Sequence, residues 1–132
     1  MPGEPILIVD DHAANLKLLD FVLARPGYEV RTAASAEEAL LVLQDWRPRM
    51  ILLDLQMPGM GGLELARRLK GDPATRPIVI VAVTAAAMKG DDRTALEAGC
   101  DGYVSKPIDT RALPGLVADL LAKNPPPDGD DG

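Results

Sequence analysis

Five polar side chains in this sequence stand where short apolar runs stop, and together they could do chemistry. Asp10 and Asp11 close "LIVDD", Asp54 closes "ILLD", Thr84 closes "VIVAVT", and Lys106 follows "GYVS" ahead of Pro107. A carboxylate buried at the end of a core strand costs several kcal/mol unless something pairs with it, so Asp54 needs a partner or a task. Three carboxylates on one rim repel one another unless a cation joins them, and a hard divalent ion such as Mg2+ takes oxygen ligands of this kind together with a backbone carbonyl and waters. Lys106 is no ligand for that ion; it is a point charge suited to a phosphoryl oxygen, and Thr84 is a donor for another. No serine or cysteine nucleophile and no phosphate-cradling glycine loop accompanies the set. The atom left to accept a phosphoryl group is a carboxylate oxygen, which is known chemistry for aspartate. Asp54 is the expected nucleophile, because it ends the middle strand between the acidic pair and Lys106.

Taken singly, each residue has a plainer reading. An Asp pair after a strand caps the next helix, Thr84 caps the helix after it, and a lysine before proline is a solvated loop residue. The only histidine, His12, reads as the start of the first helix with its ring in solvent. What outweighs these readings is joint placement. In open parallel sheets, ligands bind beyond the carboxyl ends of the strands, and all five residues fall there.

The elements that must hold them follow from periodicity. Apolar runs at 6–9, 28–32, 50–53, 78–83 and 102–105 are too short for helices and read as strands. Between them, Leu16, Leu19, Val22 and Leu23, then Ala36, Ala39, Leu40 and Leu43, then Leu63, Ala66 and Leu69, repeat at helical spacing. Ser35 followed by Glu38 is a capping box, and Gly27, Gly71 and Gly99 fall where helices should stop. A final helix is expected from about Thr110 to Leu121, with Pro114 in its first turn. Strands alternating with single helices require a parallel sheet covered on both faces. The run "YEVRT" at 28–32 alternates and is the expected edge strand. Pro58, Gly59, Gly61 and Gly62 shape a tight loop, with Gly62 starting the third helix.

With these residues in view, "LIVDD", "ILLDLQMPGMGGLEL", "VAVTAAAM" and "GYVSKPI" resemble the receiver domain of two-component response regulators, the CheY-like superfamily. The stretch from Val83 to Asp109 is similar in particular to single-domain DivK-like regulators, and similar segments also occur in receivers attached to hybrid kinases. The resemblance implies an α/β, doubly wound, flavodoxin-like (βα)5 sandwich with strand order 2-1-3-4-5. It implies Asp54 as phosphoacceptor, Asp10 and Asp11 as the acidic pair, and Gln56 offering its backbone carbonyl to Mg2+. Thr84 becomes the switch hydroxyl, Lys106 the phosphate-binding lysine, Tyr103 the aromatic switch residue, and the bond before Pro107 cis. A sensor histidine kinase or a histidine phosphotransfer protein is the implied donor. A protein that reads the face of the fourth helix, fifth strand and fifth helix is the implied target. Such a domain is not an enzyme beyond catalysing Mg2+-dependent phosphorylation and dephosphorylation of its own aspartate. Ala86 and Gln56 flank the path of an attacking water in this family, and alanine offers it no polar group.

Two other classes of protein share part of this pattern. A haloacid-dehalogenase-like phosphatase uses similar Asp, Thr and Lys chemistry, but "DLQ" lacks that family's second aspartate and the chain has no length for a cap. A phosphate-independent interaction module would not need all five residues. The length, 132 residues, suits one domain, and aromatics at 3% against 47% apolar residues point to a core of Leu, Ile, Val and Ala. The net charge of −6 opposes nucleic acid as a partner. One cysteine, Cys100, excludes an internal disulfide and reads as a small buried residue. Without an apparent leader or an apolar run near roughly 18 residues, a cytoplasmic protein away from membranes is expected. Residues 1–122 are the expected domain, and 123–132, "KNPPPDGDDG", a flexible tail or the start of a linker.

Overall fold

The computed structural model describes residues 4–55, 61–84, 99–105 and 108–123, with the side chain of Thr84 outside that description. The elements are β1 (Pro5–Val9), α1 (Ala13–Ala24), β2 (Glu29–Ala33), α2 (Ala36–Asp45), β3 (Met50–Asp54), α3 (Gly62–Gly71), β4 (Val79–Thr84), β5 (Gly102–Ser105) and a final helix (Leu113–Lys123). The segment expected to form a further helix after β4 lies outside the described residues, as do Gln56, Ala86, Lys106, Pro107 and residues 124–132; Lys123, expected in the tail, is the last residue of the final helix.

The strands form one parallel sheet in the order β2-β1-β3-β4-β5. The chain therefore steps from β1 outward to β2, then returns across β1 to β3, so strand order reverses between β1 and β3. In this class of sheet a crevice opens at that point. The register aligns what faces it: Val9 pairs with Leu53, placing Asp10 and Asp54 level with one another, and Asp54 pairs with Val83. Two backbone bonds hold the rim, Asp10 N–H to the Ala33 carbonyl at 3.1 Å and Leu55 N–H to the Val83 carbonyl at 3.0 Å.

Alternation along each strand splits the core in two. Leu7, Val9, Ile51, Leu53, Ile80 and Ala82 face α2 and α3, where Ala36, Ala39 and Ala66 keep the helices close. Ile6, Ile8, Met50, Leu52, Val81 and Val83 face α1 and the final helix through Leu19, Leu23, Val117 and Leu121. Burying each such aliphatic side chain contributes about 1.5–3 kcal/mol against the entropy of ordering the chain. Every residue of β3 is buried, whereas β2 alternates and lies at the sheet edge, as its sequence predicts.

Helix ends follow the sequence with one correction, at the start of the final helix. Ser35 caps α2 by accepting the Glu38 N–H at 3.0 Å, while Glu38 reaches back to the Ala34 N–H at 2.9 Å. Gly27 and Gly99 take positive φ, 108° and 101°. Gly71 does not stop α3 in that way: it is the last helical residue, and Asp72 follows with φ −105°. The final helix begins at Leu113 rather than near Thr110, because the Asp109 carboxylate accepts the Arg111 and Ala112 N–H groups at 3.0 and 3.4 Å and holds a separate turn first.

The opposite end of the sheet is clamped by charge. Arg49 bonds Glu4 at 2.7 Å. Lys70, at the end of α3, places its ammonium 3.0 Å from Asp101 and bonds the Arg76 and Ile78 carbonyls at 3.0 and 2.8 Å. Asp101 in turn accepts the Ile80 N–H at 2.9 Å. Cys100 is buried beside this group, as expected, and burial with the Asp101 charge pushes its thiol up to about 11, with Lys70 pulling the other way.

Candidate functional site

Asp10 leaves β1 at the reversal point with only 3% of its surface exposed. One carboxylate oxygen, Oδ1, accepts the His12 backbone N–H at 2.8 Å, an Asx turn that starts α1. Its other oxygen accepts the Asn15 side-chain amide at 3.1 Å. The capping role expected of the acidic pair is therefore carried by Asp10 from two residues ahead of the helix cap, which is His12 itself. These two bonds occupy two of the roughly four lone-pair sites of the carboxylate and leave the others for the rim.

Asp54 ends β3 and is 1% exposed, and Asp11 projects at the mouth of the crevice. Ligand-capable atoms of Asp10, Asp11, His12 and Asp54 all lie within 4.8 Å of one another. At that separation two carboxylates repel by about 3 kcal/mol at an effective dielectric near 20, so bringing three together favours a bound cation. Three hard oxygen donors, two of them withdrawn from solvent, form a cluster able to chelate a divalent metal.

The crevice is cut to shape by Gly62. A Cβ at that position would lie 2.4 Å from the Asp54 carbonyl oxygen and 2.8 Å from the Leu55 Cα. Glycine lets the first turn of α3 rest directly on the strand end that carries Asp54. Gly62 starts the third helix, as expected.

Of the residues singled out in the sequence, the structure brings Asp10, Asp11 and Asp54 together. Thr84 ends β4, with its backbone paired to Ser105 on β5; Tyr103 lies two residues earlier on β5, opposite Ala82 and 41% exposed. Gln56, Lys106 and Pro107 lie outside the described residues. Sequence reasoning placed His12 at the helix start with its ring in solvent; the ring is 63% exposed, yet its Nδ1 lies 3.2 Å from both Asp10 Oδ1 and Asp11 Oδ1. Asn15 was missed. Its signal is its position one turn into α1, from which a side chain folds back over the cap.

A family model described as the response regulator receiver domain matches residues 6–118. The chain belongs to the response regulator receiver family. Among curated relatives, this receiver domain is 42% identical to the polar-differentiation response regulator DivK of Brucella anthropi over 103 residues, 78% of this chain and 84% of that one. Among solved structures it superposes on a putative response regulator from Chloroflexus aurantiacus with a TM-score of 0.86 at 35% identity, covering 91% of this chain and 98% of the other. It also resembles the signal receiver domain of a signal transduction histidine kinase from Syntrophus aciditrophicus, with a TM-score of 0.84, 33% identity and 92% of each chain covered. The protein is a phosphoacceptor receiver domain, a signalling module rather than an enzyme acting on a separate substrate. The phosphatase alternative is set aside. Among the described residues, no helix is long and apolar enough to cross a membrane.

Proposed function

We propose that Asp54 accepts a phosphoryl group from a phosphohistidine of a sensor histidine kinase or a histidine phosphotransfer protein. The observation that carries this reading is a buried carboxylate at the end of the central strand, within 4.8 Å of the ligand atoms of an acidic pair. An Asp54 oxygen attacks phosphorus in line, and the P–N bond to the donor histidine breaks as the O–P bond forms. Asp10, Asp11 and Asp54 would hold Mg2+, joined by the Gln56 backbone carbonyl. The ion would supply positive charge to the carboxylates and to the transferring oxygens. Lys106 and the Thr84 hydroxyl receive the other phosphoryl oxygens, an arrangement in which fixed charges meet charge as it develops.

Once phosphorylated, the site draws the Thr84 hydroxyl inward, and the Tyr103 ring turns from its exposed position toward the space left behind. The face of β5 and the helices beside it then presents a different surface to a protein partner. A kinase as donor is supported by the 33% identity to the receiver domain from the Syntrophus histidine kinase. Residues 1–122 form the working unit in this reading, 123–132 serve as a tail or linker, and the setting is cytoplasmic.

Intact-mass spectrometry after incubation with acetyl phosphate or phosphoramidate and Mg2+ tests the assignment. One phosphoryl group is expected on the wild type and none on Asp54→Asn. Equal labelling of both proteins overturns the choice of Asp54.

A further inference from the structure

His12 is the only histidine of the chain, and the phosphoryl-transfer chemistry above does not use it. Its ring is nonetheless tied to the acidic cluster. Nδ1 stands 3.2 Å from Asp10 Oδ1 and 3.2 Å from Asp11 Oδ1. It belongs to the same group of ligand-capable atoms as Asp54, all within 4.8 Å. The backbone holds it there, since the His12 N–H is bonded to Asp10 at 2.8 Å and the Asn15 N–H to the His12 carbonyl at 3.0 Å. The ring is 63% exposed, which leaves it room to turn.

These distances match those between ligands around one ion. For a six-coordinate divalent metal with bonds of about 2.1 Å, adjacent donor atoms lie about 3.0 Å apart and opposite ones about 4.2 Å apart. The two contacts at 3.2 Å have the spacing of adjacent donors, and a few tenths of an ångström of side-chain movement closes the rest. Three carboxylates without nitrogen select Mg2+, Ca2+ or Mn2+; adding an imidazole moves a site toward the borderline first-row ions, whose affinity for nitrogen rises along the series from Mn2+ to Cu2+.

We propose that the Nδ1 of His12 is a fourth protein ligand at the acidic site, giving this receiver domain a preference for borderline divalent transition ions over Mg2+. The inference rests on the reading of Asp10, Asp11 and Asp54 as the metal site. It concerns what a neighbouring ring adds to them. The competing role for the ring, a hydrogen bond from Nδ1–H to Asp10 beside a site that binds all divalent ions alike, predicts a different result.

The test uses the full chain with Co2+ and Mg2+ as probes, each titrated by calorimetry into the wild type, His12→Ala and His12→Asn. The asparagine variant keeps a good helix cap and guards against a loss caused by fraying of α1. The ratio of the Mg2+ to the Co2+ dissociation constant is expected to fall at least about tenfold in both variants, the size typical of a lost ligand-shell contact. Independently, the Co2+ complex of the wild type should show a hyperfine-shifted, non-exchangeable imidazole Cδ2–H resonance that both variants lack, assignable without ambiguity because the chain has one histidine. Mg2+ binding with an unchanged Mg2+/Co2+ ratio in the variants, or a Co2+ complex without that resonance, overturns the proposal and leaves the three-carboxylate site standing. No binding of either ion to the wild type removes both.

Discussion

Replacing Gly62 with alanine tests how tightly α3 is seated on the strand end. The added carbon would lie 2.4 Å from the Asp54 carbonyl oxygen, 2.8 Å from the Leu55 Cα and 3.1 Å from the Asp54 carbonyl carbon. All three are backbone atoms, so no flexible side chain can swing aside. Reaching an ordinary contact of about 3.4 Å requires the first turn of α3 to retreat, or the end of β3 to bend, by about 1 Å. Overpacking of this kind costs about 1–3 kcal/mol, and up to about 1 kcal/mol returns because alanine favours a helix over glycine. A net loss of about 1–2 kcal/mol should lower the melting temperature by roughly 3–8 °C in a domain of this size. Gly61→Ala is the control. Among the described residues a Cβ there meets nothing within 4 Å and the backbone φ is −74°, so the loss should be limited to a weaker N-cap for α3, no more than about 1 kcal/mol, with labelling unchanged. Because the displaced carbonyl belongs to Asp54, a shift of about 1 Å should also slow phosphorylation by up to about 100-fold. Thermal melts followed by circular dichroism, with a phosphorylation time course by intact mass, measure both. A Gly62→Ala protein that melts and labels like Gly61→Ala would refute the argument that close approach requires glycine.

Two further outcomes are expected away from the rim. Lys70→Met leaves Asp101 and two carbonyls without their shared ammonium, and urea titration should show a loss of about 1–3 kcal/mol; a change below about 0.5 kcal/mol would mean that water replaces the clamp. Cys100 is raised from 9.0 to about 11 in the fold, so the unfolded chain loses its thiol proton first as pH rises. Its contribution to stability is complete below about pH 9 and is lost toward about pH 11, by about 3 kcal/mol at most. Tyr28, also raised, adds to the alkaline loss, so the comparison with Cys100→Ala isolates the thiol. If the two proteins lose stability in parallel over that range, the assignment to Cys100 fails.

Strand identity was legible because Ile6 to Val9 and Met50 to Leu53 are continuous in aliphatic residues and too short for a helix, the pattern of a strand covered on both faces. The rim acids were legible for the same reason, since a polar residue that ends such a run has one place to be. What escaped depends on angles rather than periods. Ile78 looked like strand, yet its N–H closes a turn onto the Thr75 carbonyl at 3.0 Å, so β4 starts one residue later. The turn at Asp109 delayed the final helix past an attractive Thr110. Neither the Asn15 bond to Asp10 nor the approach of the His12 ring to both acids follows from spacing, because each depends on the direction in which α1 leaves the sheet. Gly71 ends α3 as its type suggests, yet it does so as the last helical residue and without the positive φ that Gly27 and Gly99 adopt.

The Asx turn at Asp10 makes the opening of α1 and the occupancy of the rim two readings of one equilibrium. A single carboxylate serves the His12 N–H, the Asn15 amide and the crevice. An ion that fixes the Asp10 carboxylate in this orientation therefore also holds down the first turn of α1. Reciprocity then requires that a contact which tightens that turn from outside must strengthen ion binding by the same factor, and one which frays it must weaken it equally. The length of this helix thus joins the acidic rim to the solvent-facing side of the domain with no intervening loop, and local fraying of about one turn is motion enough to carry the message.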